Sequence, residues 1–148
     1  MLCMRDIERK DHDAFVEMVV DFYGGGAALY GANMEHIEKT FEAIMEKCPY
    51  LRAVMIEQEE KIMGFALLAY TWSNESGGMV VWLEELYVKP GYQGQKIGSQ
   101  FLRWMEKEYA DFSRIRLEVC PSNPGARRLY ERFGFETLDY IQMIKDKK

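Results

Sequence analysis

The amino-acid sequence predicts an α/β protein, in which helices pack on a mixed (α+β) sheet. Four segments carry apolar residues at every third or fourth position, which is the spacing of an amphipathic helix. The segments between them are rich in β-branched and aromatic residues and are bounded by Gly, Pro or Asn, as strands are. The 148 residues, of which 48% are hydrophobic, suit one domain, and we expect it to span residues 1–148.

In the first half of the chain, the patterns predict one strand, two helices and three more strands. They place the first strand at residues 2–7, the helices at 14–22 and 34–45, and the later strands at 51–57, 62–72 and 79–88. Three successive glycines at 24–26 end the first helix. The second helix stops before Pro49, because a residue that precedes proline disfavours the helical conformation.

The second half predicts a helix, a strand, another helix and two final strands. Apolar residues at helical spacing indicate the helix at 97–109, and alternating apolar residues indicate the strand at 115–119. Asn123 and Pro124 begin the next helix, since Asn is a strong N-cap and proline suits the first helical position; Gly134 ends it. The final strands are expected at 135–137 and 139–144, which completes the order β-α-α-β-β-β-α-β-α-β-β.

Charge and cysteine content argue against several classes of protein. The net charge of −5 does not suit a nucleic-acid binder, whose contact surface is basic. No stretch approaches the ~20 apolar residues of a membrane span, so we expect neither a nucleic-acid nor a membrane partner. The three cysteines are odd in number and widely spaced, which predicts no disulfide, no metal site and a reducing cytoplasm.

The segment from Leu83 to Gly98 carries the chemistry of the chain. It predicts a strand, a glycine-bearing turn and the first turn of a helix. The start of a helix has free backbone N–H groups and the positive end of the helix dipole, and therefore binds anions such as phosphate. Glu84 and Glu85 lie on the strand that leads into this turn. Acid–base groups beside a phosphate site suggest an enzyme that uses a phosphate-bearing cofactor.

Two motifs resemble those of the GNAT superfamily of N-acetyltransferases. Gln93-Gly-Gln-Lys-Ile-Gly98 resembles the family's Q/R-x-x-G-x-G/A motif. Asn123-Pro-Gly-Ala-Arg-Arg-Leu-Tyr130, followed by Gly134 and Phe135, is similar to its N-x-x-A-x-x-x-Y…G-F signature. The run Leu-Glu-Glu-Leu-Tyr-Val at 83–88 is closest to the polyamine-type branch. The order of elements matches the family over essentially the whole chain.

The resemblance implies a splayed central sheet and transfer of an acetyl group from acetyl-coenzyme A to an amine. A β-bulge near residues 84–86 would part the fourth and fifth strands, and the backbone N–H of Leu86 would polarise the thioester. N–H groups from 94 to 99 would bind the pyrophosphate, with the backbone of residues 86–88 along the pantetheine arm. The implied coenzyme contacts are Leu86, Tyr87, Val88, Gln93, Gly94, Gln95, Lys96, Ile97, Gly98, Ser99, Asn123, Ala126 and Tyr130.

One position departs from the family motif. Lys96 stands where the family has its first glycine. We expect Lys96 to keep a negative φ, because the first turn of a helix requires it. Its side chain would either crowd the pyrophosphate or bind it through the ammonium group. If the site is degenerate, the chain is instead a catalytically silent module that binds and senses acyl-coenzyme A.

The same resemblance implies which residues transfer protons. An amine must lose a proton before it attacks, and a carboxylate is suited to accept it. Glu84 and Glu85 point to opposite faces of a regular strand, so only one reaches the slot unless the bulge realigns them; we favour Glu84 as the base. In the alternative, both glutamates only bind a cation or face solvent. Tyr130 would protonate the leaving thiolate. In the alternative, Tyr130 only packs in the core, with its hydroxyl satisfied.

The acceptor is expected to be a primary amine of a small molecule, such as a polyamine, an amino acid or a lysine-like amine. Asp21, Glu75, Glu84 and Glu85 would form an acidic mouth for it, bordered by the segment at 21–32 and the loop at 71–78. The alternatives are acetylation of a protein N-terminus or lysine, and a scaffold domain that binds no coenzyme. Because members of the family are often dimers, the resemblance also implies a homodimer.

Overall fold

The computed structural model describes residues 1–25, 30–94 and 96–147, and it confirms the predicted fold class. Within these ranges, no helix is long and apolar enough to cross a membrane. The elements are β1 (Cys3–Asp6), a 3-10 turn (Arg9–Asp11), α1 (His12–Gly24), α2 (Met34–Met45), β2 (Leu51–Gln58), β3 (Lys61–Ser73), β4 (Gly78–Val88), α3 (Ile97–Glu108), β5 (Arg114–Leu117) and α4 (Pro124–Arg132).

The five strands form one mixed sheet in the order β1-β2-β3-β4-β5. The first four are antiparallel neighbours, and β5 pairs with β4 in parallel. Helices α1 and α2 pack on one side of the sheet, here called the α1/α2 face, where the ring of Phe15 contacts Phe65 of the sheet and Phe41 of α2. Helix α3 packs on the opposite side, the α3 face, where Phe101 and Met105 are fully buried.

The register of β3 and β4 shifts by one residue at Glu84. Leu68 pairs with Leu83, whereas Leu67 pairs with Glu85, so Glu84 has no partner residue on β3. Such an extra residue is a β-bulge, and it exchanges the faces to which the following side chains point. The bulge lies within the region where the sequence places it.

Beyond the bulge, β4 and β5 separate. Their parallel pairing begins at Val80 and Arg114 and ends at Leu83 and Leu117, which is the last residue of β5. β4 continues for five more residues, to Val88, of which Glu85 to Val88 pair only with β3. The central sheet is therefore splayed, as predicted, and the edge of β4 is open along this stretch.

The two strands predicted after α4 are wrong. In the described part of the chain, no residue after α4 pairs in the sheet. Side chains hold the tail instead: Tyr140 donates a hydrogen bond to Glu75 at 2.6 Å, and Arg127 donates one to Thr137 at 3.4 Å. The alternating apolar residues of the tail, which suggested a strand, are exposed. They are Leu138, Tyr140, Ile141, Met143 and Ile144.

Candidate active site

The open edge of β4 offers unpaired backbone groups. The N–H of Lys89 donates to the carbonyl of Met63 on β3 at 2.8 Å. Because successive residues of a strand direct their backbone groups to alternate sides, Leu86 and Val88 direct theirs away from β3, toward the slot left by β5. The side chain of Gln93 donates to the carbonyl of Val88 at 3.1 Å, which fits this orientation.

Tyr87 has the opposite orientation. A Cβ on Gly64 would lie 2.1 Å from the carbonyl oxygen of Tyr87, so β3 has a glycine where β4 approaches most closely. The backbone of Tyr87 is therefore turned toward β3, and its hydroxyl donates a hydrogen bond to Asp21 on α1. Of the three residues expected along the pantetheine arm, only Leu86 and Val88 turn their backbone to the slot.

The glycine-bearing turn leads directly to the start of α3. Gly91 and Gly94 have positive φ values of 96° and 86°, which a glycine adopts without steric cost. The first backbone hydrogen bond of α3 runs from the N–H of Gln100 to the carbonyl of Lys96. The N–H groups at positions 97–99 precede that bond and have no acceptor within the helix, so they form an anion-binding end. Gln95 lies outside the described residues.

The expectation that Lys96 keeps a negative φ is wrong. Lys96 is the N-cap of α3, not part of its first turn, and it has φ 59° and ψ 28°. This is the left-handed region, in which a side chain crowds the backbone at a cost of ~1–2 kcal/mol. The family motif has a glycine here, which adopts this conformation without that cost. Lys96 keeps the turn geometry but adds strain and an exposed positive charge.

Helices α3 and α4 meet beside the anion-binding end. A Cβ on Gly98 would lie 3.0 Å from a methyl group of Leu129, so a glycine at this position allows α4 to approach. Asn123 caps α4 by accepting a hydrogen bond from the N–H of Ala126 at 3.2 Å, as predicted. The N–H of Ala126 is thereby used within the helix, and its side chain is left for any contact with a ligand.

Tyr130 lies on α4 and packs against the core of the α3 face. Its ring meets that of Phe135 edge to face, with centroids 5.8 Å apart. Burial raises the pKa of Tyr130 to about 12. It therefore remains a protonated donor at neutral pH.

In a regular strand, Glu84 and Glu85 would lie on opposite faces of the sheet. The bulge removes this alternation, yet the two residues still have different environments. Glu85 pairs with Leu67, whose side chain belongs to the core of the α1/α2 face, and only 9% of Glu85 is exposed. Glu84 is the unpaired residue of the bulge and reaches solvent. Desolvation nevertheless raises the pKa of Glu84, and the charge of Glu118 beyond β5 raises it further.

Glu85 has a hydrogen-bond partner that sequence reasoning missed. The hydroxyl of Tyr23, in the last turn of α1, donates to Oε2 of Glu85 at 2.6 Å. Burial raises the pKa of Glu85, this hydrogen bond lowers it, and the charge of Glu84 raises it. Tyr23 is 62 positions away along the chain, and no motif in the sequence links the two residues.

The predicted acidic mouth is only partly assembled. Asp21 accepts the hydroxyl of Tyr87, so it lies at the open half of β4. Glu75, however, is in the loop before β4, where it accepts hydrogen bonds from Arg114 and Tyr140. Ten positions separate Glu75 from Glu85, and a strand rises roughly 3.3 Å per residue, so the two lie at opposite ends of β4.

Comparisons with known proteins agree with this architecture. A model described as the acetyltransferase (GNAT) family matches residues 13–135. The chain is 30% identical to a spermine/spermidine N(1)-acetyltransferase of Bacillus subtilis over 70% of this chain and 72% of that protein. It is 34% identical to a thialysine N-epsilon-acetyltransferase of Bos taurus, over 52% of this chain and 46% of that protein. A solved structure of a possible acetyltransferase from Clostridium difficile superposes with a TM-score of 0.83 at 17% identity, covering 100% of this chain and 99% of that one.

The left-handed conformation of Lys96 predicts that Lys96→Gly stabilises the protein. Relief of the side-chain strain outweighs the greater flexibility of glycine in the unfolded chain, so the free energy of unfolding should rise by about 0.5–1 kcal/mol. Urea unfolding measures the change. Lys96→Ala is the matched control, since it removes the charge and keeps the strain, and it should give no such gain. Equal gains in the two variants would assign the effect to charge.

Proposed function

The chain belongs to the acetyltransferase (GNAT) family and is an N-acetyltransferase, and we propose that it transfers the acetyl group of acetyl-coenzyme A to a primary amine of a small molecule. The observation that carries this proposal is the slot beside the bulge of β4. It has the backbone of Leu86 and the N–H of Val88 along its open edge, an anion-binding helix end at its exit and two carboxylates at its start.

The residues around the slot suit acetyl-coenzyme A. The N–H groups at positions 97–99 and the ammonium group of Lys96 would hold the pyrophosphate. The backbone of Leu86 and Val88 would pair with the amide groups of the pantetheine arm, like an added strand. When bound, the coenzyme supplies the activated acetyl group. The N–H of Leu86 would then donate to the carbonyl oxygen on which negative charge develops.

Glu84 would accept the proton of the acceptor amine. A lysine-like amine has a pKa of about 10.4, so only about one molecule in 10³ is neutral at pH 7. A carboxylate with a raised pKa is a stronger base than an ordinary one. Desolvation raises the pKa of Glu84, and its side chain is accessible from solvent.

Tyr130 would protonate the coenzyme A thiolate as it leaves. Its raised pKa keeps the phenol protonated until the thiolate forms beside it. It lies on the α3 face, where α4 approaches the start of α3. Base and acid would thus act from opposite sides of the slot.

The acceptor would be a cationic amine: a polyamine, an amino acid or a lysine-like amine. Glu84, Glu85 and Glu118 place negative charge at the start of the slot, which attracts such a molecule. The two relatives named above act on spermine or spermidine and on thialysine, according to their names. The chain spans about half the length of the thialysine enzyme, so that relative supports the amine class more than the exact acceptor.

The remaining expectations belong to the same proposal. Cys3, Cys48 and Cys120 are free thiols, which suits a reducing cytoplasm. We also propose that residues 1–148 act as a single domain.

The function is tested by thiol release from acetyl-coenzyme A with a panel of amines. Spermidine, spermine, thialysine, lysine and a peptide with a free N-terminus would be supplied one at a time, and release without amine subtracted. We expect release with at least one small amine. Thermal stabilisation by acetyl-coenzyme A without release for any amine would favour the silent module, and no stabilisation would favour a scaffold.

Tyr130→Phe should lower kcat on the order of 100-fold, the typical contribution of a general acid. The ring packing against Phe135 is retained, so thermal stabilisation by coenzyme A should be nearly that of the wild type. Unchanged kcat would remove Tyr130 from the mechanism. Tyr70→Phe is the matched control, since its hydroxyl bonds to Tyr109 and not to the slot.

Glu84→Gln should abolish the acid limb of the kcat profile. In the wild type, kcat should fall as the pH drops through the raised pKa of Glu84, because the protonated carboxyl no longer accepts a proton. The isosteric amide cannot act as a base, so kcat should be about 100-fold lower and flat with pH. If this limb is lost in Glu85→Gln and kept in Glu84→Gln, Glu85 is the base.

A further inference from the structure

Glu85 is a buried carboxylate that the proposed proton transfers do not use. Its side chain faces the α1/α2 core, where Leu67 of β3 is its paired neighbour. Only 9% of the residue is exposed. A carboxylate in such a place is costly unless hydrogen bonds or a cation compensate its charge. No Lys or Arg in the described ranges forms an ion pair with it.

The two oxygens of Glu85 are not equivalent. Oε2 accepts the hydroxyl of Tyr23 at 2.6 Å. Oε1 is buried and has no hydrogen-bond partner in the described part of the chain. A buried oxygen without a partner is rare, and it marks a place where either a proton or an external donor is missing.

The groups around Glu85 oppose one another. On its own strand, the charge of Glu84 disfavours ionisation of Glu85, and burial does so more strongly. From α1, Tyr23 favours ionisation through its hydrogen bond. Of the other charged groups nearby, Glu118 acts on Glu84, and Asp21 and Glu17 of α1 act on Tyr87. Among the described residues, Tyr23 is thus the group whose hydrogen bond favours the ionised form of Glu85.

We infer that Tyr23 is a positioning residue for the acceptor: its hydroxyl fixes Glu85 through Oε2 as an anion, whose unpartnered Oε1 attracts the ammonium group of a cationic amine. The inference rests on the proposed function, which supplies the amine. It separates the two glutamates, since Glu84 takes a proton from the reacting amine and Glu85 provides negative charge for binding. Tyr23 acts through Glu85 and need not touch the substrate.

Tyr23→Phe removes the hydroxyl and keeps the ring. Without its donor, the pKa of Glu85 rises, so Glu85 takes up a proton at a pH where it is ionised in the wild type. The KM for the amine should then rise about tenfold at the acid end of the pH range, since a hydrogen bond to a charged group shifts its pKa by roughly one unit or more. As the pH rises, Glu85 of the variant ionises again, and the KM should return to within about twofold of the wild-type value.

The experiment measures kcat and KM for spermidine and for acetyl-coenzyme A between about pH 6 and 9. Only the spermidine KM should depend on Tyr23; its kcat and the KM for acetyl-coenzyme A should match the wild type. Glu85→Gln should raise the spermidine KM at every pH, without rescue. Tyr70→Phe removes a hydroxyl that bonds to Tyr109 and should change neither constant.

Each other result has a distinct meaning. A spermidine KM that is equally raised at all pH values in Tyr23→Phe would give Tyr23 a structural role and overturn the inference. An unchanged KM would overturn it as well. Thermal melting of both variants identifies loss of folding, and Glu85→Gln, which can still accept from Tyr23, then decides whether the charge matters. If the wild-type chain releases no thiol with any amine, the proposed function fails, and the inference fails with it.

Discussion

The extra residue in β4 is the constraint on which the site depends. A regular strand would keep β5 paired along β4 and would alternate Glu84 and Glu85 between the two faces of the sheet. The bulge at Glu84 changes both at once. Glu85 lies in the α1/α2 core beside Tyr23, and parallel pairing with β5 stops at Leu83, one residue before the bulge. The slot and the separate environments of the two carboxylates therefore have one cause.

The second half of the slot depends on backbone conformation more than on side chains. Glycines at positions 91 and 94 and the left-handed Lys96 turn the chain so that α3 begins with its free N–H groups at the exit of the slot. Gly64 lets β3 approach the backbone of Tyr87, and Gly98 lets α4 approach α3. These close approaches fix the positions of β3 and α4 around the slot, and the open edge of β4 lies between them.

Sequence patterns predict the parts of this molecule that depend on local chemistry. The start of α4 at Asn123 follows from the capping preference of asparagine, and the splayed strands follow from the motif resemblance. The tail after α4 has the alternation of a strand, but a strand also needs a free partner, and β5 is only four residues long. The negative φ expected for Lys96 is wrong because its motif position precedes the helix, where the backbone requires the left-handed region. Tyr23 could not be found, since its role arises from a contact between α1 and β4 that only packing creates.

Glu84 and Glu85 differ in chemical properties because Glu85 is buried and Glu84 reaches solvent. Two carboxylates close together repel each other, and this repulsion raises the pKa of the more buried one. A cation bound near both carboxylates would relieve this repulsion. The electrostatic free energy that the repulsion costs the free protein would therefore favour binding of a cationic ligand. If both were equally hydrated, they would share protons and neither would have a fixed role. On the α1/α2 face, the hydrogen bond from Tyr23 makes the two carboxylates inequivalent. On the α3 face, burial keeps the phenol of Tyr130 protonated. In the proposed reaction, Glu84 and Tyr130 would therefore act at the same carbonyl carbon from the two sides of the slot beside the bulge.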